Sequence, residues 1–335
     1  MVTTGKHPTI YDVAALAGVS IGTVSKTLNA PVKVAPTTRR RVLDAVHELD
    51  FVAKEVASLR ARRGAGRIGV FAPFSTYPSF AERLNGILTV PNQRRFEVVV
   101  FDVQSAAESS HVLESLPALR SLDGVIVMSV PIGQEVAAAL RQGHLPAVLV
   151  DSEGFGLPSV ASDDELGGRL AAEALIAAGK TRLAFFGHSQ VQPDLVSPSR
   201  RRLHGFTTAL AEHGMNVDDR RVVLVGSAFD QAVTAASDLL NGDQRPDAVF
   251  AHSDELAAAV LLAARGAGLS VPEQLAIVGY DDSIIAQALD LTTIRQPLRQ
   301  TGAWALRSLT AMIDDSSAAI PSLLLPVELV RRGSA

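Results

Sequence analysis

Residues 9–29 read TIYDVAALAGVSIGTVSKTLN. Thr9 precedes a run in which Ile10, Val13, Ala14 and Ala17 fall on one helical face. Gly18 is a natural stop. Ser20, after Val19, is a good N-cap for a second helix over 21–28. Two short helices joined by about three or four residues that include a glycine have the helix-turn-helix layout. Ala14, Val19 and Val24 suit a small core between them, while Tyr11, Ser20, Thr23, Ser25, Lys26 and Asn29 offer polar groups to phosphates or base edges. Helix starts direct N–H groups outward, and their dipoles favour phosphate there. Stripped of these particular residues, the same pattern also fits a generic three-helix bundle.

A third helix is expected from Pro36-Thr37, with Val42, Ala45, Val46 and Leu49 at helical spacing and a close at Asp50-Phe51. Arg39-Arg40-Arg41 reads as a solvated face of that helix. Residues 54–62 favour helix but have a weak apolar face, and Gly64-Ala65-Gly66 ends them. From Arg67 the texture changes to strands alternating with helices. Apolar strands are expected at 68–72, 98–101, 125–128, 147–150, 183–186, 222–225, 248–250 and 275–278, with helical patterns at 106–119, 167–178, 199–211 and 254–267. Such alternation builds parallel sheets covered by helices on both faces. It fits one large sheet, a barrel, or two doubly wound halves.

The chain has 335 residues, 47% hydrophobic and 20% charged, enough for two sizeable cores and a small module and not a disordered or fibrous composition. The absence of cysteine excludes a disulfide framework, thiol catalysis and thiolate-bound metals. No apolar run reaches membrane-spanning length, and the N-terminus lacks a signal-peptide core, so a bacterial cytoplasm is the expected address. The net charge of -4 is uneven: residues 1–63 hold ten Lys/Arg and five Asp/Glu, so this basic head precedes a body of charge -9. A basic head suits a polyanion.

Three chemical patterns lead nowhere. Gly64-Ala-Gly-Arg-Ile-Gly69 spells a dinucleotide fingerprint, but it enters a strand instead of following one and opening a helix. The pairs Asp163-Asp164 and Asp281-Asp282 are adjacent in sequence, and neighbouring side chains rarely converge on one point. His188, Ser189 and Asp194 lie in a Gln/Pro-rich stretch that reads as a loop, not a triad. No nucleophile-elbow or zincin pattern is present. No catalysis, metal or cofactor is expected.

The string T-I-x-D-V-A-x-x-A-G-V-S-x-x-T-V-S-x-x-L-N over residues 9–29 closely resembles the DNA-binding head of the LacI/GalR family of bacterial regulators. Val34-Ala-Pro-Thr-Thr-Arg39 resembles that family's third-helix entry, Ala57-Ser-Leu-Arg60 its hinge helix, and Arg67-Ile-Gly-Val70 its first core strand. Gly167-Gly-Arg-Leu170, Arg202-Leu-His-Gly-Phe206, Val278-Gly-Tyr-Asp-Asp282 and Leu291-Thr-Thr-Ile-Arg-Gln-Pro297 follow in family order, so the likeness spans essentially the whole chain. It implies an all-α helix-turn-helix head at 1–53, a hinge helix and linker at 54–66, and an α/β core at 67–335. That core would be two doubly wound parallel-sheet subdomains resembling periplasmic sugar-binding proteins.

The resemblance places Ile21, Gly22 and Lys26 where family members read bases; lysine donates to guanine and isoleucine touches a thymine methyl. Gly22 brings no side chain, a departure from members with a polar residue there. Tyr11, Ser20, Thr23, Ser25 and Asn29 become phosphate contacts. Leu59 matches a leucine wedged into the minor groove, flanked by Arg60, and Ala57 stands where an arginine is frequent. For the effector, the groups just after strands are candidates: Phe74, Ser75, Asp151, His188, Ser253-Asp254 and Asp281-Asp282. The resemblance adds Arg200 and Phe229 and singles out Ser253 and Asp281 among the strand-end groups. An arginine, an aromatic ring and carboxylates suit a polyhydroxylated ligand, expected to be a carbohydrate bound between the subdomains. The partners implied are a pseudo-palindromic operator in double-stranded DNA, that effector, and a second copy of the chain. No leucine heptad follows Leu329-Val-Arg-Arg-Gly-Ser334, as in dimeric members. The competing reading is a small-molecule binding protein or enzyme with a vestigial head.

Overall fold

The computed structural model describes residues 8–29, 33–49, 51, 66–74, 77–91, 96–103, 112–113, 122–130, 132–142, 144–152, 154–189, 198–226 and 228–335. The head contains α1 (Ile10–Ala17), α2 (Ile21–Asn29) and α3 (Pro36–Glu48). Its core joins Val13, Ala14 and Ala17 of α1 to Val24 and Leu28 of α2 and to Val42, Ala45 and Val46 of α3, closed by Phe51. Val19 packs against this core half-buried. Gly18 caps α1 at φ 60, the left-handed conformation that lets the chain turn sharply into α2. The expectation of a wholly solvated Arg39-Arg40-Arg41 is corrected: Arg40 and Arg41 are exposed, but Arg39 is buried. Its helical spacing to Val42 and Val46 puts it on the inward face.

The chain divides into two compact units, residues 1–160 with 302–322 and residues 161–301 with 323–335. The first unit holds β1 (Gly66–Ala72), α4 (Ser79–Leu88), β2 (Phe96–Asp102), β3 (Gly124–Met128), α5 (Gln134–Gln142), β4 (Ala147–Val150) and β5 (Ser159–Ser162). These strands are parallel in the order β2-β1-β3-β4-β5. β3 and β4 are buried at every residue, as continuous apolar runs require when helices cover both faces. β2, at the edge, is only partly covered.

The second unit holds α6 (Asp164–Ala177), β6 (Leu183–His188), α7 (Pro198–Glu212), β7 (Val222–Val225), α8 (Phe229–Asn241), β8 (Ala248–Ala251), α9 (Asp254–Gly266), β9 (Ala276–Asp281), α10 (Ile284–Ala288) and β10 (Thr292–Arg295). Its parallel strands run β7-β6-β8-β9-β10, and Glu328–Val330 adds antiparallel to β10. Alternate strand residues feed two cores. Ala184, Phe186, Val249, Ala251 and Ile277 face Ala236, Leu240, Leu256 and Val260 of α8 and α9. Leu183, Phe185, Phe250, Val278 and Tyr280 face Ala171, Leu175, Phe206 and Leu210 of α6 and α7. Each such fully buried Phe or Leu contributes roughly 1.5–3 kcal/mol. α6 and α7 cross closely: a Cβ on Gly168 would lie 2.0 Å from the Arg202 carbonyl oxygen, and one on Gly205 2.0 Å from that of Glu165.

The fold is thus a helical head and two doubly wound sheets, not one large sheet or a barrel. β5 and β10 escape an apolar-run reading because serine and threonine fill them. In β10 the buried hydroxyls are used internally: Thr293 donates to Asp254 at 2.6 Å and Thr292 to the Arg332 carbonyl at 2.9 Å. The expected helix over 106–119 lies almost entirely outside the described residues. Among the described residues, no helix is long and apolar enough to cross a membrane.

Candidate functional site

At the head, Asp12 accepts from both the Thr9 N–H, at 2.7 Å, and the Thr9 hydroxyl, at 2.6 Å, and so ties down the start of α1. Ser20 starts α2 in the same way: its Oγ accepts from the Thr23 N–H at 3.1 Å and lies 2.9 Å from the Thr23 hydroxyl. Tyr11, Ser20, Ile21, Gly22 and Lys26 are exposed, and Thr23 and Ser25 half-buried. Asn29 ends α2, and its side chain lies outside the described residues, as do Leu59 and Arg60 entirely. Gly22 has no neighbour that demands glycine, since an added Cβ would meet only Ser20 Oγ, at 3.8 Å. An exposed helix start carrying hydroxyls, an apolar tip and a lysine is chemically fit to meet phosphates and a groove floor.

Each α/β unit reverses its strand order at its first strand, β1 or β6, and open sheets take ligands at the carboxyl ends beside such a reversal. In the first unit, Phe74 follows β1 half-buried, its ring edge-on to Phe80 at 6.4 Å. Asp151 follows β4 and is buried, its carboxylate taken by the Arg83 guanidinium of α4. Ser75 lies outside the described residues.

In the second unit the parallel strands bring His188 (end of β6), Ser253 (after β8), Phe229 (after β7) and Asp281 (end of β9) to one edge. Phe229 is exposed as the first residue of α8. Arg200 is exposed on α7. Ser253 is buried and caps α9 by accepting from the Leu256 N–H at 3.3 Å. The Asp281 carboxylate accepts from Gln296 Nε2 at 2.5 Å. Burial pushes its pKa up to about 8, against the pull of the Arg202 charge. Burial likewise pushes Asp254, which accepts from Thr293 and from the Ser283 N–H, up to about 6.

The chain builds its tightest polar network on residues that strand-end reasoning passed over. Arg202 donates from Nε to Asp164 at 2.8 Å and from Nη1 to the His252 carbonyl at 2.6 Å, and its guanidinium lies 3.6 Å over the Tyr280 ring. Arg201 donates to the other Asp164 oxygen at 3.0 Å, and the Tyr280 hydroxyl reaches Asp164 at 3.3 Å. Burial opposes the Arg202 charge, but Asp164, Tyr280 and Asp281 outweigh it and raise its pKa. Burial, then repulsion from Arg202 and His188, hold His252 well below the usual imidazole range. Its ring meets His188 edge-on at 5.3 Å, and burial lowers His188 as well. The triple arginine at 200–202 was the available signal, but only the fold separates the buried Arg202 from the exposed Arg200. The adjacent carboxylates do diverge: Asp163 caps α6 while Asp164 turns inward, and Asp282 takes Arg295 and Arg332 instead of joining Asp281. Among the described residues, no group of His, Cys, Asp or Glu could hold a metal ion.

Residues 9–54 match the model of the bacterial regulatory proteins of the lacI family, and residues 172–335 match a periplasmic binding protein-like domain. Catabolite control protein A of Priestia megaterium is 30% identical over 331 residues, covering 97% of this chain and 98% of its own. The structure of a CelR–cellobiose complex superposes with a TM-score of 0.70 at 29% identity, over 98% of this chain and 100% of that one. A lac repressor dimer bound to operator and the anti-inducer ONPF gives 0.70 at 27%, over 98% and 99%. Head, paired doubly wound units and end-to-end similarity agree: the chain belongs to the lacI family of bacterial regulatory proteins and is a DNA-binding transcriptional regulator.

Proposed function

We propose that this regulator is a repressor, working in the bacterial cytoplasm as a homodimer on a pseudo-palindromic operator, whose operator affinity is changed by a small carbohydrate. The observation that carries the reading is the pairing, in one chain, of an exposed α2 face with a strand-end edge that offers an arginine, an aromatic ring and a carboxylate. In the head, Ile21, Gly22 and Lys26 face bases, while Tyr11, Ser20, Thr23, Ser25 and Asn29 hold phosphates. Leu59, with Arg60 beside it, enters the minor groove at the operator centre. At the effector, Arg200 donates to hydroxyls, the Asp281 carboxyl exchanges hydrogen bonds with them and Phe229 stacks on the sugar face. His188 and Ser253 line the same edge, and the first unit adds Phe74, Ser75 and the Arg83-paired Asp151. The cellobiose held by the CelR relative supports a carbohydrate.

The test is selection of operators from random duplex DNA by the purified protein, followed by titration of the winner against sugars and nucleobases. The reading expects a palindromic winner whose affinity falls steeply with salt and shifts with one sugar. Arg200→Ala or Asp281→Ala abolishes that shift while leaving operator affinity within a few-fold. Leu59→Ala weakens operator binding and spares non-specific binding. Sugar binding without any selected DNA would favour a binding protein with a vestigial head instead.

A further inference from the structure

We infer that Arg332 and Arg295, acting through Asp282, are positioning residues that fix the Asp281 carboxylate at the effector edge of the second unit. The inference rests on the reading of Asp281 as an effector ligand. It starts from the backbone. Asp281 has φ 114 and Asp282 φ 57, two consecutive non-glycine residues in territory that L side chains rarely adopt. Such a conformation persists only where its surroundings over-determine it.

Those surroundings are two guanidinium groups on one buried carboxylate. Arg295 Nε donates to one Asp282 oxygen at 2.6 Å, and Arg332 Nη2 donates to the other at 2.5 Å. The Asp282 side chain is only 6% exposed, so neither oxygen is left to water. Both arginines are themselves anchored. Arg295 sits opposite Asp281 in the β9–β10 register and also donates to Glu328 at 2.6 Å. Arg332 donates from Nη1 to the Leu291 carbonyl at 2.8 Å, and its own N–H goes to Thr292 Oγ1 at 2.9 Å. Ser334 continues the stitching, donating to the Ile277 carbonyl at 2.6 Å and accepting from the Thr292 N–H at 2.9 Å. The last residues of the chain thus reach the turn that carries Asp281.

With Asp282 clamped, the residue before it has little choice of direction. Its carboxylate is set toward Gln296, with Arg202 of α7 and Asp254 and Glu255 at the start of α9 as the charged groups around it. Releasing the clamp lets the backbone return to ordinary φ. A rotation there swings successive side chains to other directions, and the half-buried Asp281 carboxylate turns further into water.

The test needs no effector. In the full-length protein, aspartate carboxyl carbons are labelled with 13C and titrated, and the Asp281 signal is assigned by its loss in Asp281→Asn. The wild type is expected to show this group titrating near 8. Arg332→Gln and Arg295→Gln each bring its midpoint down by about two pH units or more, toward ordinary carboxylates, and Arg332→Lys restores most of the shift. A merely structural loss of a tail contact would leave the midpoint where it was. An unmoved midpoint in both glutamine variants, or a wild-type Asp281 that titrates with the other aspartates, overturns the inference. If Arg332→Gln does not fold, Arg295→Gln, at a side chain that is 48% exposed, carries the test alone. A full sugar response in Asp281→Asn, alongside a moved titration, overturns the effector reading and leaves the positioning standing.

Discussion

The two α/β units share one strand order, with the first strand flanked by the second and the third, yet they load their strand ends differently. The first unit places rings there: Phe74, Tyr77 and Phe80 meet edge-on, and the buried Arg83 both pairs with Asp151 and lies over the Phe80 ring. The second unit places a web there, in which Asp164, Arg201, Arg202, Tyr280 and His252 satisfy one another. Topology therefore sets where a site can sit and does not set its chemistry. A single charge pair can be replaced, because apolar groups of like volume spare its desolvation; a web of several charged and polar groups cannot, because each member leaves others unsatisfied.

The largest effect that could break this contrast is on stability. Arg202→Ala and Arg83→Ala should each cost about 3–5 kcal/mol, since each takes a guanidinium partner from a buried carboxylate. The double replacement Arg83→Met with Asp151→Leu should return to wild-type stability or better. Arg202→Met with Asp164→Leu should not, because Arg201, Tyr280 and the His252 carbonyl lose partners. Urea unfolding of the four proteins decides it, and full recovery in both units would erase the distinction.

A smaller effect concerns pH. The Asp281 pKa is raised to about 8 from an ordinary 3.8, so the folded chain keeps a proton that the unfolded chain gives up above pH 3.8. Stability from this group is complete below that value and declines as pH rises toward 8. His252, held neutral, acts the opposite way and only below its ordinary 6.5. Between pH 6.5 and 8 the wild type should therefore lose stability that Asp281→Asn does not lose. Equal urea midpoint shifts in the two proteins would count against a raised Asp281.

The smallest expected effect is in the head. Gly22→Ala has room for its methyl group and should stabilise the head by up to about 1 kcal/mol through helix preference. It should also change which operators are selected. A variant that is destabilised, or selects the same operators, would show that Gly22 is kept for its backbone.

Periodicity and punctuation made the head legible: Gly18 and Ser20 mark the turn, and the apolar residues of α1 to α3 recur at helical spacing. The same logic found the apolar strands. It failed where burial is achieved by polar residues, as in β5 and β10, and where exposure depends on neighbours distant in sequence. Arg39 and Arg202 look like solvated members of arginine runs, and both are buried.

The helix-turn-helix, the alternation of strands and helices, and the residue types able to meet DNA or a sugar can all be read along the one-dimensional chain. These follow from local conformational preference and from the spacing of apolar side chains. Packing in three dimensions is what pairs Asp151 with Arg83, locks Arg202 to Asp164 and brings Arg332 to Asp282 across 50 residues. Those are pairings between distant segments, and whether a charge is buried, satisfied or free to bind is a property of the packed surroundings and not of the residue.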